Sequence, residues 1–302
     1  MDALKVAFAQ PMQVGECPLW DPDEAVLYWV DIAGCAVHRL NPENGDHSSW
    51  QMPAEPGCIA RNGIGNGGGS GGLIVALRSG FFRLDTDDGT LDQIAAAPYD
   101  SATTRFNDGR CDAAGRFWAG SLYEPRDLQL GTMYCLDRGT LHTHWSGVTV
   151  SNGLAFSPDH HTLYQADTTA HLIRRYAFDL ERGQASAPQV FRQFSSDKSR
   201  DDYGGRPDGA AVDSEGAYWC AMFDGGRLLR LSPQGEILRE IALPVRCPTM
   251  IAFGGADLRT LYITSARHNR AAAELAQYPL SGCLLSMRID VPGLPEPAYI
   301  GH

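Results

Sequence analysis

Short apolar runs return along this chain at nearly constant spacing. Residues 27–31 (LYWVD), 73–77 (LIVAL), 117–121 (FWAGS), 163–167 (LYQAD), 218–222 (YWCAM) and 261–265 (LYITS) begin 46, 44, 46, 55 and 43 residues apart. Apolar runs of this length bounded by turn residues read as buried strands. Turn signals precede most of them, such as Asp21-Pro22-Asp23, Asp112-Ala113-Ala114-Gly115 and Asp213-Ser214-Glu215-Gly216. A second strand follows most of them and ends in an Asp/Asn-rich hairpin, as in HRLNPENG from 38 and FRLDTDDG from 82. Strand, turn, strand and polar hairpin at a period near 45 match one four-stranded propeller blade. Six copies predict an all-β, six-bladed β-propeller of antiparallel blades, one domain over 1–302. A plain β-sandwich with regular hairpins would not explain six similar units. Convincing amphipathic helices are missing; the best candidate, 270–277, reads as a short Ala-rich turn inside the last blade.

Composition supports this picture. The 302 residues include 33 Gly and 18 Pro, a turn-rich chain of many short elements. The glycine tract at 62–72 (NGIGNGGGSGG) matches a dinucleotide fingerprint at Gly63-x-Gly65-x-x-Gly68 and a nucleophile elbow at Gly68-x-Ser70-x-Gly72. Both motifs need a helix to follow, and a strand follows instead; the tract reads as a flexible loop between strands. The net charge of −11 excludes a basic footprint for nucleic acid and a polybasic membrane anchor. Eight scattered cysteines form no C-x-x-C pair, which fits reduced, buried thiols. With no signal-like N-terminus and no 18-residue apolar run, the expectation is a cytoplasmic soluble protein.

A propeller brings residues from several blades to one channel mouth, so its chemistry is scattered along the sequence. Four polar positions beside turn residues keep the blade spacing. Glu16 (in GECP), Asn107 (in RFNDG), Asn152 (in SNG) and Asp208 (in RPDG) lie 91, 45 and 56 residues apart. Glu16, Asn152 and Asp208 offer oxygen donors, and two carboxylates without a lysine form a costly cluster unless a cation fills it. Oxygen ligation suits hard divalent ions such as Ca²⁺, Mg²⁺ or Mn²⁺. The nine histidines form no H-E-x-x-H pattern.

These same stretches carry a family resemblance. GECPLW at 15, RFNDGRCDAAGRFWAG at 105, SNGLAFSPD at 151, the run from Pro207 to Gly235 and PTMIAFGGADLRTLYITSAR at 248 resemble the family of senescence marker protein (regucalcin), gluconolactonase and luciferin-regenerating enzyme. The resemblance implies one divalent metal in the channel, Ca²⁺, Zn²⁺, Mg²⁺, Mn²⁺ or Fe²⁺, held by Glu16, Asn152 and Asp208. It implies substrate contacts from Arg105 and Asn107, with Glu124 of Tyr123-Glu124-Pro125 as the acidic contact. The loop Ser265-Ala-Arg-His268-Asn departs from the family pattern. The implied activity is hydrolysis of a sugar lactone, the metal polarising the carbonyl and Asp208 activating water. A calcium-binding regulatory propeller, and an esterase or phosphotriesterase on the same site, stay open as alternatives. Oligomeric state is not legible.

Overall fold

The structure is a computed structural model and describes residues 4–63 and 71–301. Six antiparallel sheets form a ring, which is a six-bladed β-propeller. The first strands of the blades are Gly15–Asp21, Pro56–Arg61, Thr104–Cys111, Ser151–Phe156, Arg206–Val212 and Pro248–Gly254. Each packs against the next, and the sixth packs against the first, so these six line the channel. The predicted apolar runs all fall on strands, but on the second strand of each blade, such as Val26–Asp31, Leu73–Leu77 and Tyr218–Phe223. The second strands are buried on both faces, so their pattern is mostly apolar, broken by buried polar residues such as Gln165 and Asp167. The candidate site residues therefore stand on the channel-lining strands themselves.

The sixth blade borrows a strand. Lys5–Phe8 pairs antiparallel with Leu284–Arg288 and completes the blade begun by Pro248–Gly254. This leaves no gap in the ring, the usual solution to exposed sheet edges. In blade 4 the outer strand is split into Gln184–Ala185 and Gln189–Gln193, interrupted at Ala187-Pro188. That break, and the connection through 194–205, accommodates the longer 55-residue spacing. Ala272–Gln277, where the sequence reads as a turn, forms a short helix of six residues. Both motif matches in the glycine tract lie in part outside the described residues, as does most of the loop expected there. All eight cysteines are unpaired, seven of them buried. Among the described residues no helix is long and apolar enough to cross a membrane.

A strap closes the face opposite the polar channel mouth described below. Residues 292–300 reach blade 5 (Ser214 N–H to Pro292 C=O, 2.9 Å), blade 6 (Gly293 N–H to Leu258 C=O, 2.9 Å), blade 2 (Tyr299 N–H to Arg61 C=O, 2.8 Å) and blade 3 (Ile300 N–H to Gly115 C=O, 2.8 Å). Glu296 meets Arg110, which stands on the inner strand of blade 3.

Blade 1 pairs a buried imidazole with an exposed one. His38 Nδ1 and His47 Nε2 are 3.1 Å apart, with His38 stacked on Trp29 and His47 on Phe8 of the closing strand. One ring must donate to the other, so both cannot be cationic. Burial first, then His47, pushes His38 down to about 4. A depressed histidine stabilises the fold only while neutral: its contribution is full above the unfolded value near 6.5 and is lost as pH falls toward 4. Wild-type protein should lose on the order of 3 kcal/mol across that window from His38. Denaturant titrations of His38→Gln at pH 7 and pH 4.5 should show a smaller acid loss; an equal loss would refute this assignment.

Candidate active site at the channel mouth

A bulge on each inner strand aims the site. The register with the second strand slips between Glu16 and Leu19, Phe106 and Gly109, Asn152 and Ala155, and Pro207 and Ala210. A bulge re-aims the side chain at its position. Here the slip is repeated at Glu16, Asn107, Asn152 and Asp208, and all four line a single cavity of about 490 Å³. Local sequence allows it: Gly153 takes φ +57° and Cys17 takes φ +45°. A Cβ on Gly153 would lie 2.3 Å from the Tyr218 hydroxyl and 3.0 Å from the Asp208 carbonyl oxygen. Gly153→Ala should therefore disturb Asn152 and Asp208 together, with lost activity and a lower Tm; a variant matching wild type in both would contradict this packing.

The amides are locked by hydrogen bonds. Asn107 Nδ2 donates to Asn152 Oδ1 (2.6 Å) and to the Ser151 carbonyl (2.9 Å). Arg105 Nη1 donates to Asn107 Oδ1 (2.9 Å). Asn152 Nδ2 donates to Thr168 Oγ1 (2.7 Å), which donates to the Pro207 carbonyl beside Asp208 (2.7 Å). This chain fixes the Asn152 amide with its oxygen on the side of Asn107.

The carboxylates are treated differently. Glu16 accepts one hydrogen bond, from the Cys17 N–H (3.2 Å), and no salt bridge reaches Glu16 or Asp208 among the described residues. Burial, reinforced by Asp208 and Asp108, pushes Glu16 well above the usual carboxylate range. Burial pushes Asp208 up to about 8, against the pull of Arg206. Asp108, which sequence reading passed over, adds a third buried carboxylate. Its Oδ2 accepts from the Leu154 N–H (2.8 Å), while its Oδ1 has no hydrogen-bond partner. Acids held so far from their solution behaviour want a cation. The donor set of Glu16, Asp208 and the Asn152 oxygen fits a hard divalent ion. Among the described residues no three His, Cys, Asp or Glu side chains group as a metal site; the third donor here is an amide.

The structure brings Arg105 and Glu124 to the same cavity. Glu124 is committed to Arg78, Oε1 to Nη2 at 2.8 Å and Oε2 to Nη1 at 2.9 Å, and lies 3.8 Å from Arg105 Nε. Arg78 comes from blade 2 and also clamps Glu55. Arg126, Arg206, His268 and Arg270 line the wall as well; sequence reading gave none of them a role, although Arg206 opens RPDG and Arg126 follows Tyr123-Glu124-Pro125. Arg206 and Arg270 both reach Asp224, at 3.0 and 3.1 Å.

A six-bladed propeller with oxygen donors gathered at one mouth of a strapped channel defines the class. Residues 14–267 match the family model described as the SMP-30/Gluconolactonase/LRE-like region, and the chain belongs to that family. It is 50% identical over 301 residues to a 6-deoxy-6-sulfogluconolactonase of Pseudomonas putida, covering 99% of each chain. It is 32% identical over 308 residues to a regucalcin of Danio rerio, covering 100% of each. A solved calcium-binding regucalcin of Agrobacterium tumefaciens superposes with TM-score 0.91 at 27% identity, over 99% of this chain and 97% of that one.

Proposed function

We propose that this chain hydrolyses a sugar lactone to its aldonic acid at the channel mouth, with a divalent metal held by Glu16, Asn152 and Asp208. The observation that carries the reading is the pair of buried, unpaired carboxylates beside a locked amide oxygen, all facing one polar cavity. Membership of the family and half identity to a protein named as a lactonase support the substrate class.

A bound divalent ion would supply Lewis-acid stabilisation of the charge that develops on the lactone carbonyl oxygen. Arg105 and Asn107, already hydrogen-bonded to one another, orient the ring through its hydroxyls and oxygen. Asp208 removes a proton from the attacking water through a carboxylate oxygen not used in ligation. The water oxygen bonds to the carbonyl carbon, the ring C–O bond breaks, and the proton passes to the departing ring oxygen. The product is an open-chain hydroxy acid.

A pH-stat panel of glucono-, galactono-, arabinono- and xylonolactones, run with Ca²⁺, Mg²⁺, Mn²⁺, Zn²⁺ and Fe²⁺, tests this. At least one lactone should turn over, and EDTA should abolish the activity until metal is returned. Turnover that survives exhaustive chelation would refute the metal assignment.

A further inference from the structure

The charges around the cavity are matched except at one place. Glu55 and Glu124 are both clamped by Arg78. Arg206 and Arg270 share Asp224, and Arg270 also holds Glu274 with two bonds of 2.6 and 2.7 Å. Glu16 and Asp208 are the pair assigned to the cation. Arg126 lines the same wall and has no hydrogen bond or ion pair from its guanidinium among the described residues. Its backbone is pinned in a tight turn, φ +60°, its N–H donating to the Tyr123 carbonyl (3.0 Å). It is close enough for its charge to act on both Arg105 and Asp208, across the cavity they share.

Neutralising Glu16 and Asp208 with a divalent ion leaves this wall with positive charge to spare. Among the described residues Arg126 has no ion partner, and Arg105, hydrogen-bonded to neutral oxygens of Asn107 and Phe106, has as carboxylate partner only Glu124 at 3.8 Å, which Arg78 already holds. A neutral polyol gains little from an unpaired guanidinium, whereas an anion gains charge-assisted hydrogen bonds in planar, bidentate geometry. The buried acids set the carbonyl end of the substrate deep in the channel. Arg126 is exposed at the rim, where the opposite end of the ring emerges. We infer that the preferred substrate is a sugar lactone bearing an anionic group, a sulfonate, phosphate or carboxylate, on its exocyclic carbon, and that Arg126 is the specificity-determining residue that reads it. This inference rests on the lactonase reading above.

The test is the ratio of kcat/KM for charged over neutral lactone at fixed ionic strength. Glucono-1,5-lactone is compared with its 6-phospho, 6-deoxy-6-sulfo and 6-carboxylate counterparts, which separates the three anions. Wild type should favour at least one charged lactone by about tenfold to hundredfold, the scale of a hydrogen bond to a charged group. Arg126→Gln should bring that ratio toward one, chiefly through KM, and Arg126→Lys should keep part of it. A wild-type ratio of one or less, or a ratio unchanged in Arg126→Gln, would overturn the inference. Calorimetric binding of gluconate and 6-phosphogluconate reads the same site without turnover. Arg126-dependent preference for the phosphate there, with no lactone cleaved, would sustain the anion subsite and remove the lactonase reading. Lactone turnover with a flat ratio would do the reverse.

Discussion

Asp208→Ala should leave a folded protein whose lactone hydrolysis, under the proposed site, is down in kcat/KM by at least about a thousandfold. Asp208 serves as both ligand and base in the proposed site, and loss of a general base alone costs roughly a hundred- to ten-thousandfold. The fold should not suffer. Burial holds this carboxyl up to about 8, so in metal-free protein at neutral pH its ionisation works against the folded state. The EDTA-treated variant should therefore melt at or above the temperature of EDTA-treated wild type. Adding Ca²⁺ or Mn²⁺ should raise the wild-type Tm and leave the variant unmoved. Full lactone turnover by metal-stripped Asp208→Ala would sink both the metal and the base assignment.

Asp213→Ala should carry the largest stability penalty. Asp213 is completely buried and accepts four bonds: the N–H groups of Glu215 (2.9 Å) and Ala217 (3.0 Å), the Trp219 indole (2.8 Å) and Arg230 Nε (2.8 Å). One carboxylate thus forms the turn, fixes the core tryptophan of the next strand and neutralises a cation from the third. Asp112 repeats the arrangement in blade 3 with Ala114, Arg116 and Trp118. Arg230 keeps its bond to Glu215 (2.6 Å), but three N–H donors lose their acceptor, at about 1–3 kcal/mol for each that is buried, so the loss should be about 3–5 kcal/mol. For a domain of this size that is a fall in Tm on the order of 10 °C. Trp219→Phe, which removes only the indole donor, should cost far less. Near-equal losses for the two variants would show that packing around the tryptophan, and not the clasp, supplies the stability.

The blade count was legible because the second strands are buried on both faces and so carry long apolar runs, LIVAL at 73 without a polar residue. The channel strands were not legible as strands. Their sequences, such as GECPLWD and RPDGAAV, mix acids, glycine and proline to line a wet channel and to bulge, and they read locally as turns. Glu16, Asn107, Asn152 and Asp208 were found because they repeat with the blade period, a signal no single blade contains. The engagement of Glu124 was hidden, since its partner Arg78 is 46 residues away in another blade. Arg126 directly follows Tyr123-Glu124-Pro125, yet an arginine on a polar turn looks like solvent-facing charge until the carboxylates near it are assigned to other partners.

Ring closure has a consequence for the order in which this protein is made. Closure depends on partners such as Cys283 Sγ with the Ala9 carbonyl within blade 6, 274 residues apart, and Thr249 with the Gly15 carbonyl between blades 6 and 1, 234 apart. The strap ties Glu296 to Arg61 across 235 residues. None of these contacts exists while the nascent chain is still emerging through blade 5. Blades can collapse one by one as they appear, but each waits with an open flank. Long-range closure is entropically slow. The last step should be a single late event that seals the joint and the strap together, so unsealed arcs are the species most exposed to aggregation at high expression rates.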